Sequence, residues 1–197
     1  MSGDRRPFDV VAYQRRSREG PCFVCAHLAA ADPADVHHEV YADEVCVAFL
    51  NRYPTLLGYT LVAPRRHLVD VTGDRALFRH LTDVVHDVAE ALKQVVPTER
   101  VYLLSLGSHE GNAHVHWHVA PLPPGVAYER QQFHALMAER GVLRIPPAEQ
   151  AALARRIGEA VAAERYAWKG RVWIAEDFNE LDEQTLRDWY EGPVEPR

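Results

Sequence analysis

His114-Val115-His116-Trp117-His118-Val119-Ala120 is the stretch on which the fold turns. Extended backbone sends successive side chains to opposite faces, so His114, His116 and His118 share one face and Val115, Trp117 and Val119 the other. The apolar face is expected to pack on a core. The imidazole face has no packing reason to exist. Three titratable rings roughly 7 Å apart along one strand repel one another when charged, so a phosphate, a metal or a hydrogen-bond network should organise them. A solvent-facing polar strand side is one alternative and a metal cage built from all three is another. No carboxylate follows on this strand, and Glu110 is the nearest acid.

Outward from that strand, the next clear signal is Phe78, Leu81, Val85, Val88, Leu92 and Val95, which recur at three- and four-residue steps. This is the stripe of an amphipathic helix lying on a sheet, capped by Thr72 or Asp74 and ended by Pro97. Val40-Tyr41, Val45–Leu50, Tyr59–Ala63 and Val101–Leu106 read as strands, with a turn between Pro54 and Gly58. Pro121-Leu122-Pro123-Pro124 is not expected to continue a ladder. Residues 1–20 read as a short polar helix broken at Gly20-Pro21, and Pro146-Pro147 opens a second helix through about Ala163. The order predicts an α+β fold: a mainly antiparallel sheet with a long packing helix, plus a C-terminal helical and aromatic extension.

Composition narrows the function. In 197 residues, 47% hydrophobic and 25% charged, no run of apolar residues is long enough to span a bilayer. The N-terminus has no apolar stretch of signal-peptide type, and three cysteines suit a reducing, cytoplasmic setting. The net charge of −6 argues against general nucleic-acid binding, but it is unevenly spread. Residues 176–197 hold eight acidic and two basic side chains, whereas residues 1–175 are balanced at twenty of each. Cys22-Phe23-Val24-Cys25 is a metal half-site, a redox pair or two unligated thiols, and Cys46 reads as core.

The H-V-H-W-H-V-A stretch resembles the histidine triad (HIT) family, with its His-apolar-His-apolar-His signature. Cys22-Phe23-Val24-Cys25, Val40–Glu44, Val47–Asn51, Pro54, Gly58 and Thr60–His67 are similar to family motifs in the same order, over roughly residues 18–125. The resemblance implies a nucleotide hydrolase or nucleotidyl transferase acting at the α-phosphate, with dinucleoside polyphosphates or nucleoside phosphoramidates as substrates. His116 would form a nucleotidyl-histidine intermediate, and His118 would bind the phosphate and assist the leaving group. Asn51 aligns with a ribose contact, although capping a turn before Pro54 explains it equally well. Phe49 and Leu50 are candidates for the base pocket or for core strand. Ser105, Ser108 and Asn112 would supply phosphate donors in a loop that lacks the common Gly-Gln-Ser/Thr stretch. Tyr59 replaces a histidine that often follows the glycine. A nucleotide-binding or protein-interaction module with little turnover is the competing reading.

By the same resemblance, Cys22, Cys25, His67 and His114 would hold a structural zinc, leaving the chemical step independent of metal. The resemblance also implies a homodimer. The expected organisation is an N-terminal helical segment (1–20), the catalytic domain (21–125), a helical extension (126–165) and an acidic, aromatic-rich tail (166–197). That tail, with Trp168, Trp173 and Trp189, is a possible docking element for a protein partner.

Overall fold

The computed structural model describes residues 4–30, 32–106, 113–132 and 136–167. The chain divides into two units, Met1–Arg165 and Tyr166–Arg197, and the architecture below is that of the first. In chain order its elements are β1 (Arg5–Arg6), α1 (Val10–Glu19), α2 (Phe23–Ala29), β2 (Glu39–Ala42), β3 (Cys46–Leu50), β4 (Thr60–Pro64), α3 (Arg75–Val95), β5 (Arg100–Leu104), β6 (Trp117–Leu122), β7 (Val142–Leu143) and α4 (Pro147–Ala167). β2 to β6 form one antiparallel sheet in the order β2-β3-β4-β6-β5, so the fold is α+β. The tail's proposed strand and helix lie outside the described residues, as do Trp168, Trp173 and Trp189.

Strand alternation divides the sheet into two apolar faces. On one, Ala48, Leu50, Val62, Val115 and Val119 pack under Leu81, Val84, Val88 and Leu92 of α3. On the other, Val47, Phe49, Leu61, Ala63, Ala120 and Leu122 pack with Val24 of α2. Asp74 caps α3, accepting from the Leu77 amide at 3.0 Å, and Phe78, the first residue of the expected stripe, stays partly exposed against Trp117. Between β2 and β3, Asp43 accepts from the amides of Val45 and Cys46, which fixes the tight turn.

Three expectations are corrected. The histidine strand begins at Trp117 and not at His114. It also runs through Pro121, which pairs with Val101. That proline is tolerated because the β4 ladder has already ended at Val119, so β6 has only β5 beside it there. The N-terminal segment is a strand followed by a helix: Asp9 caps α1, and β1 pairs with β7 far along the chain.

The segment after β6 is part of the same core. Leu153, Ala154, Ile157 and Val161 of α4 join the α3 face of the sheet, and Gly158 lets the helix approach the Val40 carbonyl, which a Cβ would meet at 3.0 Å. Ile157 is fully buried. Ile157→Ala is therefore expected to destabilise the whole fold by about 2–4 kcal/mol, read as an earlier single transition in chemical denaturation. An unchanged main transition would make α4 an independent extension.

Candidate functional site

The site is built where β6 leaves its ladder. Trp117 pairs with Val62, and two residues further the register would set Val115 opposite Pro64, which has no amide hydrogen. The Pro64 carbonyl instead accepts the Nε2–H of His114 at 2.8 Å, and the Val115 amide donates to Leu68 at 2.7 Å. The His114 carbonyl in turn accepts from Nδ1 of His116 at 2.7 Å. These two bonds assign tautomers. His114 keeps its Nδ1 lone pair for another partner, and His116 keeps its Nε2 lone pair.

The Nδ1 atom of the fully buried His114 lies 3.4 Å from Cys22 Sγ and 3.7 Å from Cys25 Sγ, while His67 Nδ1 lies 3.3 Å from Cys25 Sγ. All four donor atoms fall within 4.8 Å of one another. A tetrahedral zinc with ordinary Zn–S and Zn–N bonds sets sulfur and nitrogen about 3.6 Å apart, so the cluster has the size such an ion needs. Burial pushes the Cys22 thiol up, but its contacts with His114 and Cys25 outweigh burial and bring the group down to about 6, toward the thiolate a metal binds. The His114–Pro64 bond is the outer support expected of a ligating histidine. A second group, Asp43, Cys46 and His80, is different in kind. Its carboxylate is taken up by Tyr41, His80 and two amides, and burial and Asp43 push the Cys46 thiol up to about 12, as suits a core residue.

His116 and His118, ring centroids 4.7 Å apart, form the base of a cleft of about 250 Å³. Phe23 stands edge-on to His116, and α1 contributes Tyr13, Arg16 and Ser17 to the opposite wall. Among the described residues no carboxylate lines it. Burial lowers His116, partly offset by its bond to the His114 carbonyl. Burial and the neighbouring His116 push His118 down to about 3. Both rings are neutral near pH 7. The Tyr59 hydroxyl lies 3.0 Å from His118 Nδ1.

Asn51 lines this cleft while its Oδ1 accepts the Tyr53 amide at 2.9 Å, so it caps the turn and keeps its amide group toward the cavity. Phe49 is fully buried beneath His37, whose ring stacks on it at 4.9 Å, so His37 and not Phe49 faces the cleft. Leu50 does not reach the site: strand alternation puts it on the α3 face. Ser105 is also displaced. It follows β5 on the face of Leu103 and lines a groove with Val101, Trp117 and α3. Ser108 and Asn112 lie outside the described residues. Phe23, His37, Tyr59 and the α1 residues were not expected in the site. Two had a signal: Phe23 inside the C-x-x-C spacing, and Tyr59 as the replacement for a histidine that often follows the glycine.

The sequence is related to known proteins across the same region. The HIT domain profile matches residues 34–124. An uncharacterised HIT-like protein of Mycobacterium tuberculosis is 32% identical over 107 residues, which is 51% of this chain and 71% of that protein. The chain belongs to the HIT family. A HIT-like protein of Saccharolobus solfataricus is 27% identical over 104 residues, 50% of this chain and 73% of that one. Among solved structures, a histidine triad nucleotide-binding protein from Sulfolobus tokodaii has the same fold at TM-score 0.60 and 23% identity, over 77% of this chain and 99% of that chain. A zinc-bound histidine triad family protein from Mycobacterium smegmatis aligns at TM-score 0.58 and 22% identity, over 74% and 96%. The HIT profile leaves out α1 and α2, which nonetheless wall the cleft of this HIT protein.

Burial, aided by His27, Arg52 and His38, pushes His37 down to about 4, below the value of about 6.5 for an unfolded histidine. A depressed folded value means stability that is complete above pH 6.5 and lost as the pH falls toward 4. His37→Phe keeps the ring stack but cannot titrate. Its urea midpoint should fall less than the wild type's between pH 6.5 and 4, and an identical fall would remove His37 as the titrating group.

Proposed function

We propose that this chain is a nucleotide hydrolase or nucleotidyl transferase acting at the α-phosphate, with His116 as nucleophile. The observation that carries this reading is the bond from His116 Nδ1 to the His114 carbonyl, which leaves a neutral ring with its Nε2 lone pair at the base of a cleft that no carboxylate lines among the described residues. Nε2 attacks phosphorus, the bond to the leaving group breaks with its electron pair, and water then releases the nucleotide from the histidine. In this reading the Tyr59 hydroxyl, 3.0 Å from His118 Nδ1, donates to it, so that the His118 proton sits on Nε2 and hydrogen-bonds the charge that develops on the phosphate oxygens. The Sulfolobus tokodaii neighbour, a hypothetical histidine triad nucleotide-binding protein, supports this reading. Dinucleoside polyphosphates and nucleoside phosphoramidates are the substrate classes.

Zinc is proposed for Cys22, Cys25, His67 and His114, supported by the donor geometry and by the zinc-bound Mycobacterium smegmatis relative. When bound it supplies a structural cross-link with no open coordination position. A homodimer is proposed through β5, an edge strand whose Leu103 is 52% exposed beside a groove of about 640 Å³ shared with α3. The tail remains a candidate for a protein partner. No helix among the described residues is long and apolar enough to cross a membrane, and a cytoplasmic location is proposed with the thiol cluster in mind.

His116→Ala should lower turnover of diadenosine tetraphosphate by at least about a thousandfold while nucleotide still binds in calorimetry. Absence of turnover in the wild type on polyphosphate and phosphoramidate panels alike would favour a binding module. Purified protein should carry about one zinc per chain, measured by atomic emission, and Cys25→Ser should carry far less and melt earlier. Full-strength titration of Cys22 and Cys25 by a thiol reagent, with no zinc present, would refute the metal assignment.

A further inference from the structure

Arg16 reaches the cleft from α1, outside the HIT profile. The helix is docked there by an aromatic triangle of Phe8, Tyr13 and Tyr53, with centroids 4.9–5.9 Å apart. Arg16 Nη2 lies 3.2 Å from the Tyr53 hydroxyl, and its guanidinium stands 5.8 Å from that ring's centre. Arg52 lines the same cleft from the β3–β4 loop, close enough for its charge to act on His37. Among the described residues neither guanidinium is paired with a carboxylate. The neighbouring arginines are engaged elsewhere: Arg65 donates to the Asp43 carbonyl and Arg66 pairs with Asp74. Among the described residues, two cations without a carboxylate partner therefore rim a cavity whose lining holds no acid, with the proposed phosphorus nucleophile at its base.

We propose that Arg16 and Arg52 form a clamp for an anionic chain attached to the reacting phosphate, making nucleoside polyphosphates the substrate class of this site. The inference rests on the nucleotidyl reading above and selects between its two classes. As the His116 Nε2–P bond forms, the P–O bond to the chain breaks and its electron pair stays on the departing phosphate oxygen. That anion needs no proton, and two guanidiniums stabilise it by charge-assisted hydrogen bonds. An amine leaving group instead needs a proton on nitrogen before the P–N bond breaks and then departs as a neutral amine, so the two guanidiniums oppose its protonation and have no anion to stabilise.

Calorimetry with inorganic tripolyphosphate and orthophosphate tests the clamp without any turnover. The wild type is expected to prefer tripolyphosphate by at least about tenfold, and the Arg16→Gln/Arg52→Gln double variant is expected to lose that preference. In kinetics, the ratio of kcat/KM for diadenosine tetraphosphate over adenosine 5′-phosphoramidate should fall by at least about tenfold in the double variant. A preserved preference, or equal losses on both substrates, would overturn the proposal. If the wild type turns over neither substrate, the nucleotidyl reading fails, while the tripolyphosphate titration still decides the clamp. Single variants with unchanged melting curves guard against misfolding as the cause.

Discussion

The His114 imidazole faces two ways, and the rest of the site depends on how that conflict is resolved. Its Nε2–H is held by the Pro64 carbonyl, so its Nδ1 must find partners among Cys22, Cys25 and His67, while its own backbone carbonyl orients His116. A single residue thus links the cysteine cluster, the third strand of the sheet and the candidate nucleophile. Breaking any one of these bonds in a fully buried setting leaves a polar atom unsatisfied, which costs about 1–3 kcal/mol. The arrangement is stiff for that reason, and a stiff ring is what a nucleophile with one usable nitrogen requires.

Proline chemistry creates the opportunity. Because Pro64 has no amide hydrogen, β4 and β6 cannot pair along their full length, and the unpaired carbonyls are redirected to imidazoles. The remainder of the fold serves that corner. α3 and α4 cover one face of the sheet and leave the other to α2, whose first turn brings Cys22, Phe23 and Cys25 against the histidines. β1 and β7 hold the N-terminal segment, so that α1 lies across the cleft opening.

Much of this was legible in the chain. The three- and four-residue steps announced α3, a local periodicity that backbone geometry reads directly; the alternating histidines announced a two-faced strand of which only Trp117 onward is strand, and the family resemblance supplied the cysteine–histidine cluster. The readings that failed concern contacts between distant segments. Leu50 and Ser105 looked usable until strand register placed them on the α3 face. His37 had no role in the sequence reading, yet it stacks on Phe49 and faces the cavity. Asn51 satisfied both of its readings, capping the turn and lining the cleft.

The sequence by itself therefore determined the sheet-and-helix architecture and the four donors of the cysteine–histidine cluster, since periodicity, spacing and family motifs all lie along the chain. Only the tertiary structure decided which nitrogen of His114 and of His116 is free, because each tautomer is chosen by the carbonyl that lies opposite the ring. It also decided that α1 is a wall of the site and that Arg16 and Arg52 rim one cavity while Arg65 and Arg66 turn away. Thirty-five residues separate Arg16 from Arg52 along the chain, and only packing brings two such segments together.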